Sequence, residues 1–144
     1  AFEDNMDGEP TNFTPDGTWA QVEVEGRGKV WTDSPDGNYQ DRANTSLTSR
    51  AISLEGFRGS TLLFDAKYDL ENRYDKVFVE ASTDGQSWES LKNVTGASDW
   101  NSHAVDLSKF DGQSVQVRFR LQTDSSQVHD GFYLDNMVIA GDQQ

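Results

Sequence analysis

The chain has 144 residues, with 25 acidic and 12 basic side chains, a formal net charge of -13 and no cysteine. This length fits a single domain, residues 1–144. Without cysteine there is no disulfide scaffold, thiolate zinc site or cysteine nucleophile. The net negative charge disfavours a nucleic-acid partner, and the apolar runs are too short for membrane insertion. The acid either keeps the chain soluble or in part binds a hard cation such as calcium.

The aromatic content argues for a folded chain. Hydrophobic residues make up only 34% of the sequence, but they include four Trp, four Tyr and eight Phe, which is too many for a solvated, disordered chain. We therefore expect a thin aromatic core between layers whose outer faces are exposed to solvent. The acidic N-terminus lacks the basic and apolar segments of a secretory signal, and we expect it to be a mature terminus or a domain boundary.

Alternation with a period of two predicts strands along most of the chain. Strands are predicted over residues 18–24, 28–32, 50–54, 62–68, 77–82, 87–91, 102–107, 115–122 and 131–140. The pair Asp84-Gly85 between two of them predicts a hairpin turn, and residues 107–112 predict one short helical turn. Many short strands separated by turn residues predict an all-β fold, an antiparallel two-sheet β-sandwich or jelly roll.

Catalytic patterns are missing from the sequence. The zinc-protease helix, the hydrolase nucleophile elbow and the phosphate-binding glycine loop are all absent. Of the two histidines, His103 is predicted to lie on a strand face and His129 in a loop. Glu80 and Glu89 flank the hairpin turn, and with Asp65 they are the carboxylates considered for glycoside hydrolysis. In a chain with 25 acids such pairs arise by chance, and we predict no catalytic residues.

Three acidic segments are candidates for a discontinuous calcium site. Glu3 lies near the start of the chain, Asp36 and Asp41 bound a polar loop, and Asp135 interrupts an apolar strand. Calcium takes six to eight oxygen ligands, often from separate segments. A buried acid costs free energy unless it is hydrogen-bonded, paired or bound to a metal. The alternatives for Asp135 are an edge position facing water and a pairing with arginine.

One ordered series of short motifs resembles a known family. The series consists of residues 2–3, 46–49, 52–54, 62–64, 68–71, 74–80, 82–88, 105–108, 115–121 and 130–136. In order and spacing it resembles the MAM-like jelly-roll module of secreted bacterial proteases, such as the immune inhibitor A metalloproteases. The resemblance covers nearly the whole chain.

The resemblance implies a non-catalytic β-sandwich from a secreted, multidomain parent, with a structural calcium in many relatives. By position, Glu3 matches an early glutamate of the family and Asp135 the first acid of its closing Asp-Asp pair. The family usually has a second Asp where this chain has Asn136. We therefore expect an extracellular domain, monomeric in isolation, whose partner is the parent protease domain or a protein or glycan surface.

Two other functions compete with a protease accessory domain. One is a structural or adhesive domain of a larger surface protein. The other is a carbohydrate-binding module, in which exposed aromatic rings stack on sugars. Possible platforms are Trp19, Trp31, Trp88, Trp100, Tyr39 and Tyr74. A polar face that supplies hydrogen bonds would be formed by Lys67, Glu80, Gln116, Arg118 and Arg120. The alternatives are packing of the Trp rings in the core and a cross-strand charge ladder on a solvated sheet.

Overall fold

The computed structural model describes residues 2–4, 13–16, 19–24, 28–33, 44–70, 75–123 and 131–143. These residues form strands β1 Phe2–Asp4, β2 Phe13–Asp16, β3 Ala20–Val24, β4 Gly28–Thr32, β5 Asn44–Ser49, β6 Ile52–Ser53, β7 Phe57–Asp69, β8 Lys76–Ser82, β9 Glu89–Val94, β10 Ala97–Asp106, β11 Ser114–Gln122 and β12 Gly131–Gln143. Ser108–Phe110 form a 3-10 turn. No helix within the described ranges is long and apolar enough to cross a membrane.

The strands form two antiparallel sheets. Sheet I has the order β10-β7-β12-β4-β3, with β1 also paired to β12, and sheet II has the order β2-β5-β11-β8-β9, with β6 also paired to β11. Consecutive strands in the chain are often distant in a sheet, as expected for a jelly roll. The predicted all-β, two-sheet sandwich is confirmed.

Aromatic side chains from both sheets form the centre of the core. Phe119 on β11 meets Phe64 on β7 edge to face, with ring centroids 5.2 Å apart. It also stacks near Phe132 on β12, at 6.1 Å. All three rings are at most 2% exposed. The thin aromatic core that the composition predicts therefore joins the two sheets at this point.

The best predicted elements are those with the clearest alternation. On β11 the inward residues Val115, Val117, Phe119 and Leu121 are at most 1% exposed, and the residues between them point outward. The hairpin of β8 and β9 is present. In its turn Gly85 has φ +77°, and Asp84 Oδ1 accepts hydrogen bonds from the backbone N–H groups of Gln86 and Ser87, both at 2.8 Å. The short helical turn is also confirmed.

The segment 44–53 differs from the prediction. Residues 50–54 were expected to form one strand, whereas β6 covers only Ile52–Ser53 and the preceding β5 is longer. Ser49 connects the two, because its Oγ accepts a hydrogen bond from the N–H of Val117 at 2.9 Å. The carbonyl of Ser49 accepts a further bond from Gln116 Nε2 at 3.1 Å. A serine hydroxyl thus replaces a backbone partner where the pairing with β11 is interrupted.

Candidate functional site

The outer face of sheet II carries a set of polar and aromatic side chains that contact one another. Because apolar residues of β11 and β8 point inward, the residues between them share the outer face. We call this surface the arginine face, and it consists of Asn44, Lys76, Phe78, Glu80, Trp88, Gln116, Arg118, Arg120 and Gln122.

Glu80 lies at the centre of the arginine face and binds two arginines. It is only 5% exposed, and Arg118 is directly opposite it on β11. Glu80 Oε1 accepts from Arg118 Nε at 2.8 Å and from Arg120 Nε at 3.1 Å. Arg118 Nη2 lies 2.7 Å from the same oxygen, and Arg120 Nη2 donates to Oε2 at 3.3 Å. These charge-assisted bonds satisfy the buried carboxylate.

Each guanidinium also lies over an aromatic ring. Arg118 Cζ is 4.1 Å from the centroid of the Trp88 ring, and Arg120 Cζ is 4.8 Å from that of Phe78. Such cation–π contacts hold the guanidinium groups in fixed positions. A guanidinium therefore lies against one face of each ring.

The aromatic residues considered as carbohydrate platforms differ in how far they are buried. Trp19 and Trp31 are each 3% exposed and belong to the core, so for these two rings the alternative of core packing is confirmed. The centroid of the Trp19 ring lies 6.3 Å from that of Phe132. Burial of Trp19 is possible because its Nε1 donates a hydrogen bond to Thr45 Oγ1 at 3.1 Å. Trp100 is half-buried on β10. Tyr39 and Tyr74 lie outside the described residues.

The predicted polar face is largely correct but includes one residue too many. Glu80, Gln116, Arg118 and Arg120 share the outer face of sheet II. Lys67 lies on β7 in sheet I, opposite Tyr133 on β12. Alternation alone does not show which sheet a strand joins, and Lys67 therefore belongs to the other side of the molecule.

An open recess of about 460 Å³ lies at one end of sheet I. It is lined by Lys67, Tyr68, Asp69, Ala97, Ser98 and Asp99. The Tyr68 ring stacks on Phe132 at 6.1 Å and is part of the packing between strands. The recess therefore has a charged rim, but its aromatic side chain is already packed against the core.

The predicted metal ligands are only partly described. Asp36 and Asp41 lie outside the described residues. The backbone of Glu3 pairs with Val138 on β12, three residues after Asp135. Asp135 is 2% exposed, and its Oδ1 accepts a hydrogen bond from the N–H of Asn136 at 2.9 Å. Among the described residues, no three side chains of the types that bind metals lie together.

A second acid, Asp65, lies directly opposite Asp135 on β7 and was not predicted as part of that region. Asp65 Oδ1 accepts from Ser102 Oγ at 2.9 Å, and Oδ2 accepts from Asn136 Nδ2 at 3.1 Å. Asn136 adopts φ +49° in a bulge of β12. Only the pairing of β7 with β12 brings these two acids together, and the sequence does not show that pairing.

His103 lies on β10, the edge strand of sheet I, as predicted for a strand residue. Its ring stacks on Phe64 with centroids 5.2 Å apart and planes at 12°. Burial lowers the pKa of His103, the ammonium group of Lys92 lowers it further, and Asp65 partly opposes this. The imidazole is therefore neutral at pH 7 and packs as an aromatic ring. His129 lies outside the described residues.

The carboxylates considered for glycoside hydrolysis are not arranged for it. Glu80 is bound by two arginines, and Glu89 forms an ion pair with Lys109. Asp65 lies in the other sheet, on β7. An acid–base pair must be free to exchange protons with a sugar oxygen, and these three carboxylates do not form such a pair.

Part of a known protein is similar in sequence to this chain. No family model matches it. Bacillopeptidase F of Bacillus subtilis (strain 168) is 32% identical over 114 residues, which is 78% of this chain and 8% of that protein. The chain therefore spans a small part of the curated relative that it matches.

Solved carbohydrate-binding modules share the fold. A mutant of a family 29 module superposes with a TM-score of 0.60 at 18% identity, over 97% of this chain and 92% of that chain. TmCBM61 in complex with β-1,4-galactotriose gives 0.58 at 12% identity, over 92% and 89%. A family 29 mutant complexed with mannohexaose gives 0.58 at 18% identity, over 95% and 87%.

These similarities concern the fold of the chain and one part of a known protease. The structural neighbours are carbohydrate-binding modules, and the match to the peptidase involves only 8% of its length. The chain is a β-sandwich domain with the fold of solved carbohydrate-binding modules, and its sequence is similar to a small part of bacillopeptidase F.

Proposed function

We propose that the chain is a non-catalytic binding domain of a larger bacterial protease that acts outside the cell. The observation that carries this proposal is the 32% identity to part of bacillopeptidase F over 114 residues. The ordered motif series that resembles the MAM-like modules of secreted proteases supports the same parent. In this proposal the domain attaches the protease to a target surface, and the arginine face makes the contact.

The chemistry of the described residues fits a binding role. A general base has to be accessible and able to gain and lose a proton near neutral pH. Glu80 is bound by two arginines, and His103 is packed against Phe64. The arginine face, in contrast, is a fixed surface that requires no movement or proton transfer to make contacts.

A proteolysis assay tests this proposal. We expect the purified chain to release no peptides from casein, with or without millimolar calcium, because the residues that the structure describes supply no pair of nucleophile and base. Turnover that a single Ser, His or Asp substitution abolishes would contradict the proposal. We also expect the gene that encodes this chain to encode a peptidase domain in the same reading frame.

Carbohydrate binding is the second candidate function. It is favoured by the arginine face, which is a flat surface with several hydrogen-bonding groups, and by the fold shared with carbohydrate-binding modules. In this proposal the target surface is a glycan. A glycan array probed with the labelled chain tests it, and an array without bound glycans would leave a protein target.

We also propose that calcium stabilises the fold at the point where β1 meets β12. The pairing of Glu3 with Val138 brings the first and last described strands together. Asp135 is 2% exposed and lies opposite Asp65, and carboxylate oxygens from separate segments of a chain are ligands that calcium prefers. Glu3 and Asp135 are the proposed ligands, with Asp36 and Asp41 as further candidates.

Calcium is expected to raise the melting temperature of the chain. Binding only to the folded state adds about 2.7 kcal/mol at about 100 times Kd, which corresponds to a rise on the order of 10 °C. Thermal unfolding in millimolar calcium and in EGTA measures it. Asp135→Asn should abolish the difference, whereas Asp142→Asn, an exposed position on the same strand, should preserve it. Identical melting temperatures in calcium and in EGTA would refute the calcium site.

A further inference from the structure

We propose that the arginine face selects an acidic polysaccharide, a glycan that carries carboxylate groups along its chain. The inference rests on the proposed role of the domain in binding, and it specifies the chemistry of the ligand. Some hydrogen-bonding atoms of the arginine face bond to other atoms of the protein. The remaining atoms are available to a ligand, and their chemistry supports the inference.

On the arginine face the amide oxygens of Asn44 and Gln122 are turned toward Arg120, whereas Gln116 donates through Nε2 to Ser49 and keeps its oxygen for other partners. Arg120 Nη1 donates to Asn44 Oδ1 at 3.2 Å and to Gln122 Oε1 at 3.4 Å. Arginine only donates hydrogen bonds, so both amides must present their oxygens to it. Their NH₂ groups are then left for the outside. Both side chains are exposed, so these donors are accessible to a ligand.

The carboxylate oxygens of Glu80 also accept their hydrogen bonds from within the protein. Its two oxygens accept bonds from Arg118 and Arg120, and the residue is 5% exposed. Arg118 uses Nε and Nη2 for this contact, and its Nη1 has no hydrogen-bond partner among the described residues. The stacking on Trp88 at 4.1 Å holds this guanidinium in place. A fixed arginine with free N–H groups matches the oxygens of a carboxylate.

The local charge also favours an anion, against the net charge of -13. The described side chains of the arginine face include three cations, Lys76, Arg118 and Arg120, and one acid, Glu80. The outer face of sheet I has the opposite character, with Asp65, Asp69 and Asp106 beside Lys67. Packed sheets are about 10 Å apart, and the Debye length in physiological salt is about 8 Å. The acids of sheet I point into solvent on the opposite side of the molecule, and their interaction with a ligand on sheet II is weakened by this distance and by the salt around them.

The other acids near the arginine face either have partners within the protein or lie at the edge of sheet II. Asp84 Oδ1 accepts from Ser82 Oγ at 2.9 Å and from two backbone N–H groups of the turn. Glu89 is paired with Lys109. Asp16 is on the edge strand β2, opposite Ser46 on β5, and its side chain is not described. The centre of the face, around Arg118, is thus without an outward-facing acid among the described side chains.

The surface favours a sugar chain over an acidic peptide. Its outward groups include the donors of Asn44, Gln122 and Arg118, and a guanidinium lies over each of the rings of Trp88 and Phe78. Peptide recognition on a sheet uses pockets for alternate side chains, and within the described residues the open recess lies on sheet I. A row of donors across β5, β11 and β8 suits a ligand that carries acceptors along its whole length.

The experiment measures binding of the purified chain to three polymers in 0.15 M salt by isothermal titration calorimetry. The probes are polygalacturonate, neutral β-1,4-mannan and poly-L-glutamate. We expect polygalacturonate to bind and the two others to bind at least about tenfold more weakly, because they lack either the carboxylates or the sugar. Equal affinity for mannan would overturn the acidic selectivity but leave the proposed binding role intact. Equal affinity for polyglutamate, or no binding to polygalacturonate, would also overturn the inference.

Substitutions assign the effect to the arginine face. Gln122→Glu retains an oxygen for Arg120 and replaces the outward NH₂ with a carboxylate oxygen, so the fold should persist while affinity for polygalacturonate falls about tenfold. Arg118→Gln should give a similar loss. Gln113→Glu makes the same charge change at an exposed turn, and Lys67→Gln removes a cation from sheet I; both should bind like the parent chain. An unchanged affinity of folded Gln122→Glu would refute the inference.

Discussion

Replacing Phe119 with alanine is expected to lower the free energy of unfolding by about 3–5 kcal/mol. Phe119 is fully buried on β11, and its ring contacts Phe64 and Phe132 of the opposite sheet. Truncation leaves a cavity between the sheets and removes two aromatic contacts at once. Urea denaturation followed by circular dichroism measures the loss as a lower midpoint at constant slope.

Phe119→Leu is the matched variant for this prediction. Leucine restores most of the volume, and we expect a loss of about 1–1.5 kcal/mol, well below that of alanine. If alanine at this position lowered stability by less than about 1.5 kcal/mol, the ring would not be the contact that joins the two sheets. The main packing would then lie elsewhere in the sandwich.

The architecture was predictable from sequence because its strands show alternation on one face. On β11, apolar residues recur at every second position from Val115 to Leu121, and all of them are buried. β5 was not predicted as a strand because its sequence is mostly Ser and Thr. Ser49 is nevertheless 2% exposed, since its hydroxyl bonds to the Val117 N–H. A buried hydroxyl of this kind depends on a partner 68 residues away in the chain, which local patterns do not show.

The candidate site was predictable in its residues but not in its geometry. Alternation indicates that Glu80 and Arg118 are on polar faces of their strands, but not that they are opposite each other. The inward orientation of Trp31 depends on the pairing of β4 with β12. Such pairings are long-range contacts that a single sequence does not specify.

The net charge of the chain does not describe the charge of the arginine face. The excess of acid correctly describes the whole chain but averages over two different surfaces. The pairing register places Arg118, Arg120 and Lys76 on one outer face, while acids such as Asp65 lie on β7 in the other sheet. The average charge would disfavour the polyanion that we propose as the ligand, whereas the pairing of the strands gathers these cations on one surface.

Replacing Glu80 with alanine is expected to lower the free energy of unfolding by about 2–4 kcal/mol. Arg118 and Arg120 would both lose a charged partner in a partly desolvated position, with side chains 21% and 22% exposed. Their partial exposure reduces the loss below that of a fully buried ion pair. The two like charges would also repel each other across adjacent outward positions of β11.

The matched control for this prediction is Glu89→Ala, which breaks the pair with Lys109. Both of those side chains are about half exposed, at 49% and 54%, so we expect a loss of at most about 1 kcal/mol. Urea denaturation of the two variants in parallel compares a buried carboxylate with an exposed one. Equal losses would show that Glu80 does not hold the arginine face together, and Arg118 would then have to be positioned by Trp88 alone.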